Sequence, residues 1–185
     1  MLFRSALAKA KPGALNYASA GNGSSLHLAA EIFKHATGVN IVHVPYKGAN
    51  AAFVDMIAGQ VQLMVTTLPA ALPHIRSSKV RALGTSGKKR AAVLPDVPTF
   101  AESGVNGAES AQWYGVLAPT GTPPDILTWL YRESIAALRT QSLKDRLAAE
   151  GLEVVASTPD EFAATIRADI AKWTKVVKSI DLPPL

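Results

Sequence analysis

What most constrains this chain is an alternation. Short apolar runs of strand type take turns with longer amphipathic stretches, and Gly or Pro punctuates most junctions. Leu15-Asn16-Tyr17-Ala18-Ser19 reads as a buried strand. A helix follows from about Ser24 to Thr37, with Leu26, Ala29, Ala30, Phe33 and Ala36 on one face and Gly38 as its stop. The pattern continues through strand Ile41-Val42-His43-Val44, helix Ala51 to Ala58 and strand Val61 to Val65. A Pro-started helix near 69–77 and strand Val80-Arg81-Ala82-Leu83-Gly84 extend it, and residues 2–11 read as a short helix stopped by Pro12-Gly13. Strands and helices alternating across short loops argue for a layered α/β fold with largely parallel strands.

The second part of the chain is read chiefly from its helix starts. Thr99-Phe100-Ala101-Glu102 fits a capping box, in which threonine oxygen accepts from the third amide and glutamate reaches back. Thr158-Pro159-Asp160-Glu161 repeats the device with Pro at the first helical position, and Thr122-Pro123-Pro124-Asp125 is a weaker version. After Thr158, Phe162, Ile166, Ile170, Trp173 and Val177 form one apolar stripe that needs an apolar surface to lie on. Trp113-Tyr114-Gly115-Val116-Leu117-Ala118 reads as a strand ended by Pro119, and Trp113, Trp129 and Trp173 as core fillers.

Composition narrows the function. The 185 residues, 48% of them hydrophobic, suffice for one good domain or two small ones. With no cysteine, disulfides and thiolate zinc sites are excluded. No apolar run approaches the ~20 residues of a membrane-spanning helix, and the N-terminus is too short and too charged for a secretory signal. The net charge of +5 is uneven: residues 1–112 carry 11 basic and 5 acidic side chains, residues 113–185 carry 8 and 9. The basic part suits an anion. Nucleic acid is disfavoured, because Lys88-Lys89-Arg90 is the sole basic run and no aromatic recognition motif accompanies it.

The sharpest local feature is the strand, turn and helix around Ser19-Ala20-Gly21-Asn22-Gly23-Ser24-Ser25. A glycine turn feeding a helix N-terminus presents backbone N–H groups at the positive end of the helix dipole, and that binds carboxylate or phosphate without a charged side chain. The Ser24 or Ser25 hydroxyl is a further donor. The plain alternative is that Ser24 caps its own helix and the glycines merely make the turn. Nucleotide binding is weakly supported, since neither the phosphate-loop lysine nor the third dinucleotide glycine is present. Tyr46-Lys47-Gly48 follows the next strand and therefore shares the same sheet edge, where ligands of open α/β sheets bind. Lys47 is a candidate for attracting an anion and Tyr46 for a ligand-facing wall; an ordinary exposed loop lysine is the alternative. Thr66 and Thr67 end a third strand there with two hydroxyls.

Catalytic patterns are poor. His27, His35, His43 and His74 have no metal-binding spacing and read as capping or packing residues, and there is no G-x-S-x-G elbow. The acidic residues of the basic part, Glu31, Asp55, Asp96, Glu102 and Glu109, form no obvious acid/base pair. The sequence argues for binding, without cofactor or metal.

Tyr17 through Phe33 closely resembles the substrate-binding proteins of tripartite tricarboxylate transporters, the Bug family. The resemblance continues through His43-Val44-Pro45-Tyr46-Lys47-Gly48, Leu72-Pro73-His74-Ile75-Arg76 and Lys79-Val80-Arg81-Ala82-Leu83. It resumes at Leu94-Pro95-Asp96-Val97-Pro98-Thr99, Glu102-Ser103-Gly104, Trp113-Tyr114-Gly115, Ala118 to Pro123, Thr158 to Phe162 and Lys172-Trp173. It implies a type II periplasmic binding protein-like α/β architecture. Residues 1–112 would be the second, ligand-binding lobe, complete, and residues 113–185 the mostly helical C-terminal return into the first. Compared with such receptors the chain reads as N-terminally truncated, lacking a signal peptide and most of lobe one.

The resemblance implies a non-enzymatic, periplasmic receptor that captures a small carboxylate or related organic anion for membrane transporter subunits. Its lobes would close about a hinge near residues 111–113. The implied ligand-binding residues are Ser19, Ala20, Gly21, Asn22, Gly23, Ser24, His27, Tyr46, Lys47, Gly48 and Thr66. Such receptors often carry an aspartate after the third strand; Val65-Thr66-Thr67 here points to plain carboxylates or neutral compounds. An incomplete first lobe would leave the C-terminal stripe to self-associate. The competing readings are an effector-sensing or anion-binding domain of a regulator, which needs an adjoining helix-turn-helix, and an α/β enzyme, which needs an acid/base pair.

Overall fold

The computed structural model describes residues 7–179. Strands β1 (Asn16–Ser19), β2 (Val42–Pro45) and β3 (Leu63–Met64) form a parallel sheet in the order β2-β1-β3. Tyr17 lies opposite His43 and Leu63, and Ala18 opposite Val44 and Met64. The connections are helices α1 (Ser25–Thr37) and α2 (Ala49–Ile57); α3 (Leu68–Arg76) follows β3.

The period-two alternation of β1 builds the core on both faces. Tyr17 packs with Ala8, Ala30, Val39 and Ile41, with Phe33, Leu63 and Val65 at their edge. Ala18 faces the other way, against Ala52 and Val61, with Met56 and Met64 beside them. One face is thus covered by α1 and the other by α2. Burying each large apolar side chain contributes ~1.5–3 kcal/mol, so this three-layer stack is where the stability resides. Its helix α1 is well terminated: Ser24 Oγ accepts from the His27 amide, and Gly38, at φ 65°, donates its N–H to the Lys34 carbonyl.

The described chain divides into two compact units, residues 113–175 and the remainder. The smaller unit contains α4 (Pro124–Arg139), α5 (Gln141–Ala149) and most of α6 (Pro159–Ser179). None of these three helices contains a buried residue.

Several sequence expectations are corrected. Val80 to Gly84 is not a strand, because the His74 carbonyl captures the Lys79 and Val80 amides as the chain leaves α3, and Ser78 turns through φ 56°. A single parallel bridge, Thr85 to Thr99, follows. Trp113 to Ala118 also makes no strand: the segment is exposed and finds no pairing partner among the described residues. The Thr99 capping box forms, with the Thr99 amide bonded to Glu102 and the Glu102 amide to Thr99 Oγ1, but it starts only a 3₁₀ turn at Ala101–Ser103. The box at Thr158 forms likewise and does start a long helix.

Thr122 does not cap α4; its hydroxyl donates to the Pro119 carbonyl instead. The tryptophans are not core residues, since Trp113 is 40% and Trp129 52% exposed and Trp173 is half-buried. Helix α5 had no apolar stripe to announce it. Of the short helix expected over residues 2–11, residues 7–10 are helical and 2–6 lie outside the described residues.

Candidate functional site

Strand order β2-β1-β3 creates a switch point. The α1 crossover carries the chain from β1 to one neighbour, and the α2 crossover returns it to the other side of β1. The carboxyl ends of β1 and β3 flank the position where open α/β sheets hold ligands. Three loops meet at this edge: Ala20 to Ser24 after β1, Tyr46-Lys47-Gly48 after β2, and Thr66-Thr67 after β3.

These loops are tied together by the backbone. The Tyr46 amide donates to the Ser19 carbonyl at 3.2 Å, and the Val65 amide to the Ala18 carbonyl at 3.4 Å. Gly21 adopts φ 130°, and a Cβ there would lie 3.3 Å from the Tyr46 carbonyl oxygen. Glycine is required both for that conformation and for that approach.

The amides of the turn are not equivalent. Gly21 N–H donates to Ser19 Oγ at 3.2 Å, Gly23 N–H to His27 Nδ1 at 3.1 Å and Ser24 N–H to the Gly21 carbonyl at 3.3 Å. Three of the four amides from Gly21 to Ser24 are therefore satisfied by the protein itself. Among the described residues no acceptor takes the amides of Asn22, Ser25 or Leu26. The two serines also divide their roles. Ser24 Oγ donates to the Gly21 carbonyl at 2.8 Å and accepts from the His27 amide, so it caps its own helix. Ser25 Oγ accepts from Gln112 Nε2 at 3.0 Å, which leaves its hydroxyl hydrogen to donate elsewhere.

Ser19 and His27 turn inward. Ser19 is 0% and His27 5% exposed, and both bond to the turn from beneath. Ser19 Oγ donates to the Gly21 carbonyl, accepts from the Gly21 amide and lies 2.7 Å from His43 Nε2. The His27 and His43 rings stack with centroids 3.9 Å apart and planes at 9°; Tyr17 also stacks with His43, at 4.9 Å. Below them the Tyr17 hydroxyl donates to Glu31 Oε1 at 2.6 Å, and Lys34 Nζ bonds the same carboxylate at 2.7 and 3.0 Å.

Burial sets the charges of this cluster. Desolvation holds the His43 pKa down at about 4, with His27 adding to the effect, and lowers that of His27 as well. Desolvation favours the protonated form of Glu31, but the Lys34 and Tyr17 hydrogen bonds prevail and hold it below the usual carboxylate range. Burial and the Glu31 hydrogen bond push the Tyr17 hydroxyl far up. Both imidazoles are neutral and the carboxylate is charged near neutral pH.

The remaining candidates lie around the edge. The Tyr46 hydroxyl donates to Asp55 at 2.7 Å, which raises its pKa and fixes the ring. Lys47 and Asn22 are exposed, and Ala20 and Gly48 half-buried. Thr66 Oγ1 is buried without a hydrogen-bond partner. Sequence reasoning read His43 only as a capping or packing histidine; it does pack, and it also bonds Ser19 beneath the turn. The signal was available, because His43 lies opposite Tyr17 in the sheet and so shares its face beneath α1. Among the described residues there is no group of three or more His, Asp or Glu able to hold a metal ion.

A parallel α/β lobe that opens at a switch point onto a glycine turn and a helix N-terminus has the fold of a periplasmic binding protein. The chain belongs to the tripartite tricarboxylate transporter family of receptors, whose profile ("Tripartite tricarboxylate transporter family receptor") matches residues 5–182. This is a family of transport receptors, not of enzymes. Protein BugT of Bordetella pertussis is 38% identical over 170 residues, which are 92% of this chain and 52% of BugT. Among solved structures, R. palustris Rpa4515 with adipate superposes with a TM-score of 0.95 at 37% identity, covering 100% of this chain and 62% of that one. The periplasmic binding protein BugD matches with a TM-score of 0.92 at 31% identity, covering 98% of this chain and 61% of BugD. MatC from Rhodopseudomonas palustris with bound malate matches at 0.84 and 29%, covering 96% of this chain and 61% of MatC. The chain thus spans about half the length of BugT and about three-fifths of each of these solved structures.

Proposed function

We propose that this chain contains the ligand-binding lobe of a receptor that captures a small carboxylate and presents it to membrane transporter subunits. The observation that carries the reading is the set of unpaired amides at Asn22, Ser25 and Leu26, at the positive end of α1 and at the switch point of the sheet. A carboxylate oxygen meeting these donors and the Ser25 hydroxyl is bound without a counter-charge. Exposed Lys47 adds long-range attraction, and Thr66 Oγ1 is a spare buried donor at the same edge. The adipate and malate of the related structures are the dicarboxylates to try first.

In this reading residues 1–112 are the second lobe and residues 113–185 the return into the first, and ligand favours closure about residues 111–113. The periplasm is the compartment expected, because the family's binding proteins work there. Self-association is proposed through the apolar stripe from Phe162 to Val177, none of it buried, and monodisperse monomer in concentrated light scattering would refute it.

Thermal denaturation with adipate, malate, aromatic acids and amino acids tests the binding reading. Stabilisation by a carboxylate without product formation is expected, and conversion to product would instead establish an enzyme. Gly23→Val, at a backbone φ of 69°, should abolish the shift; an unchanged shift would move the site elsewhere.

A further inference from the structure

Beneath the turn, the buried His27 and half-buried His43 imidazoles are unexplained by capture alone. The Gly23 amide bond requires His27 Nδ1 to carry a lone pair, so the His27 proton resides on Nε2, 3.9 Å from Glu31 Oε1. Ser19 Oγ shares a 2.7 Å hydrogen bond with His43 Nε2, its direction set by the His43 tautomer, and also meets the Gly21 carbonyl and amide. His43 thus holds the Ser19 hydroxyl against the Gly21 backbone. The pair therefore holds two points of the turn, Gly23 directly and Gly21 through Ser19.

We propose that His27 and His43 are positioning residues. As a neutral stacked pair they hold Gly21 and Gly23 inward, and this leaves the amides of Asn22, Ser25 and Leu26 facing a ligand. The inference rests on the carboxylate reading for its effect on affinity, but not for its effect on the turn.

The chemistry makes the device sensitive to acid. Protonated His27 has a donor at Nδ1 facing the Gly23 N–H, also a donor, so that bond must break. Protonating both rings also sets two cations face to face at 3.9 Å. The groups facing the pair are Glu31 and Lys34 from α1 and Tyr17 from β1. Glu31 favours a proton on His27, yet its charge is shared with Lys34 and Tyr17, and Lys34 opposes it. Burial lowers the pKa of both imidazoles and holds that of His43 at about 4.

The test uses the full chain, ¹⁵N-labelled, between about pH 4 and pH 8. The wild-type protein should show an unprotonated His27 Nδ1 and a protected Gly23 amide at neutral pH, both lost over one acidic window. His27→Phe keeps an aromatic ring in the stack but removes the acceptor. It should shift the Gly23 amide and weaken adipate binding by about tenfold or more, with the far-ultraviolet spectrum unchanged. His27→Asn restores an acceptor near the Nδ1 position without a titrating ring, and should restore Gly23 and flatten the pH profile.

A Gly23 amide indifferent to His27→Phe, or to wild-type titration, would overturn the proposal. So would a His27→Asn variant that retains the wild-type pH profile. If the wild-type chain binds neither adipate nor malate at any pH, the carboxylate reading fails, and the Gly23 response to the two variants still decides the positioning role.

Discussion

Helices α1 and α6 are both amphipathic and both start at a formed threonine or serine cap, yet they differ in what they bury. Leu26, His27, Ala29, Ala30 and Ile32 of α1 are buried, whereas α6 has no buried residue and its Ile170 is 61% exposed. Helix α1 lies over a parallel sheet; the helices of residues 113–175 have no strand within their own unit. Trp113 touches Phe162 edge-on with centroids 5.2 Å apart, and Phe162 lies against Gly115, but this small cluster does not exclude water. A cap and a stripe suffice to form a helix. Only a facing layer turns the stripe into stability, because burial rather than propensity supplies most of a helix's free energy in a protein.

Hydrogen exchange should break or uphold this contrast most sharply. Amides of β1 and α1 are expected to exchange about a thousandfold or more slower than those of α4 to α6, measured by mass spectrometry on the full chain. Equal protection would mean that the C-terminal helices are covered after all. Side-chain truncation should follow the same division. Tyr17→Ala is expected to cost about 3–5 kcal/mol in urea unfolding, and Trp129→Ala no more than about 0.5 kcal/mol. Similar losses would erase the distinction.

Acid offers a third comparison. The folded pKa of His43 is depressed to about 4 from an ordinary 6.5, so between these values the unfolded chain binds the extra proton. Stability of the sheet unit is therefore full above about pH 6.5 and lost as pH falls toward about 4. The loss is on the order of 1–2 kcal/mol after discounting for the partial exposure of the ring. His43→Phe should flatten urea midpoints over that range, and an unchanged slope would clear His43 of the effect. The smallest contrast lies in the two capping boxes. Thr99→Ala, at a buried threonine, should lower global stability by about 1 kcal/mol. Thr158→Ala should fray only the start of α6, visible in amide exchange of residues 159–162 and absent from the urea midpoint.

The sheet unit was largely legible because its signals are periodic. Tyr17 and Ala18 alternate, α1 repeats its apolar face every turn, and Gly38 ends it. Val80 to Gly84 misled for a physical reason: β-type composition cannot report that the His74 carbonyl claims the Lys79 and Val80 amides. The tryptophans misled similarly, since a large aromatic residue signals a core only where a second layer exists. At the turn, the placement of Ser19 to Ser25 before a helix was readable from residue types. Which amides remain free was not, because that depends on His27 Nδ1 and on Ser19 Oγ, one of them four residues along the helix and the other held by His43 from a neighbouring strand.

What the chain's own order of residues determined is local: where strands and helices start and stop, and that a glycine turn meets the amino end of α1. These follow from short-range sterics, capping and periodicity. Tertiary structure alone decided that β3 lies on the far side of β1 from β2, that two histidines 16 positions apart stack under the turn, and that residues 113–175 remain without a core. Such outcomes require groups distant in sequence to meet while water is excluded, and no local pattern encodes where that exclusion will occur.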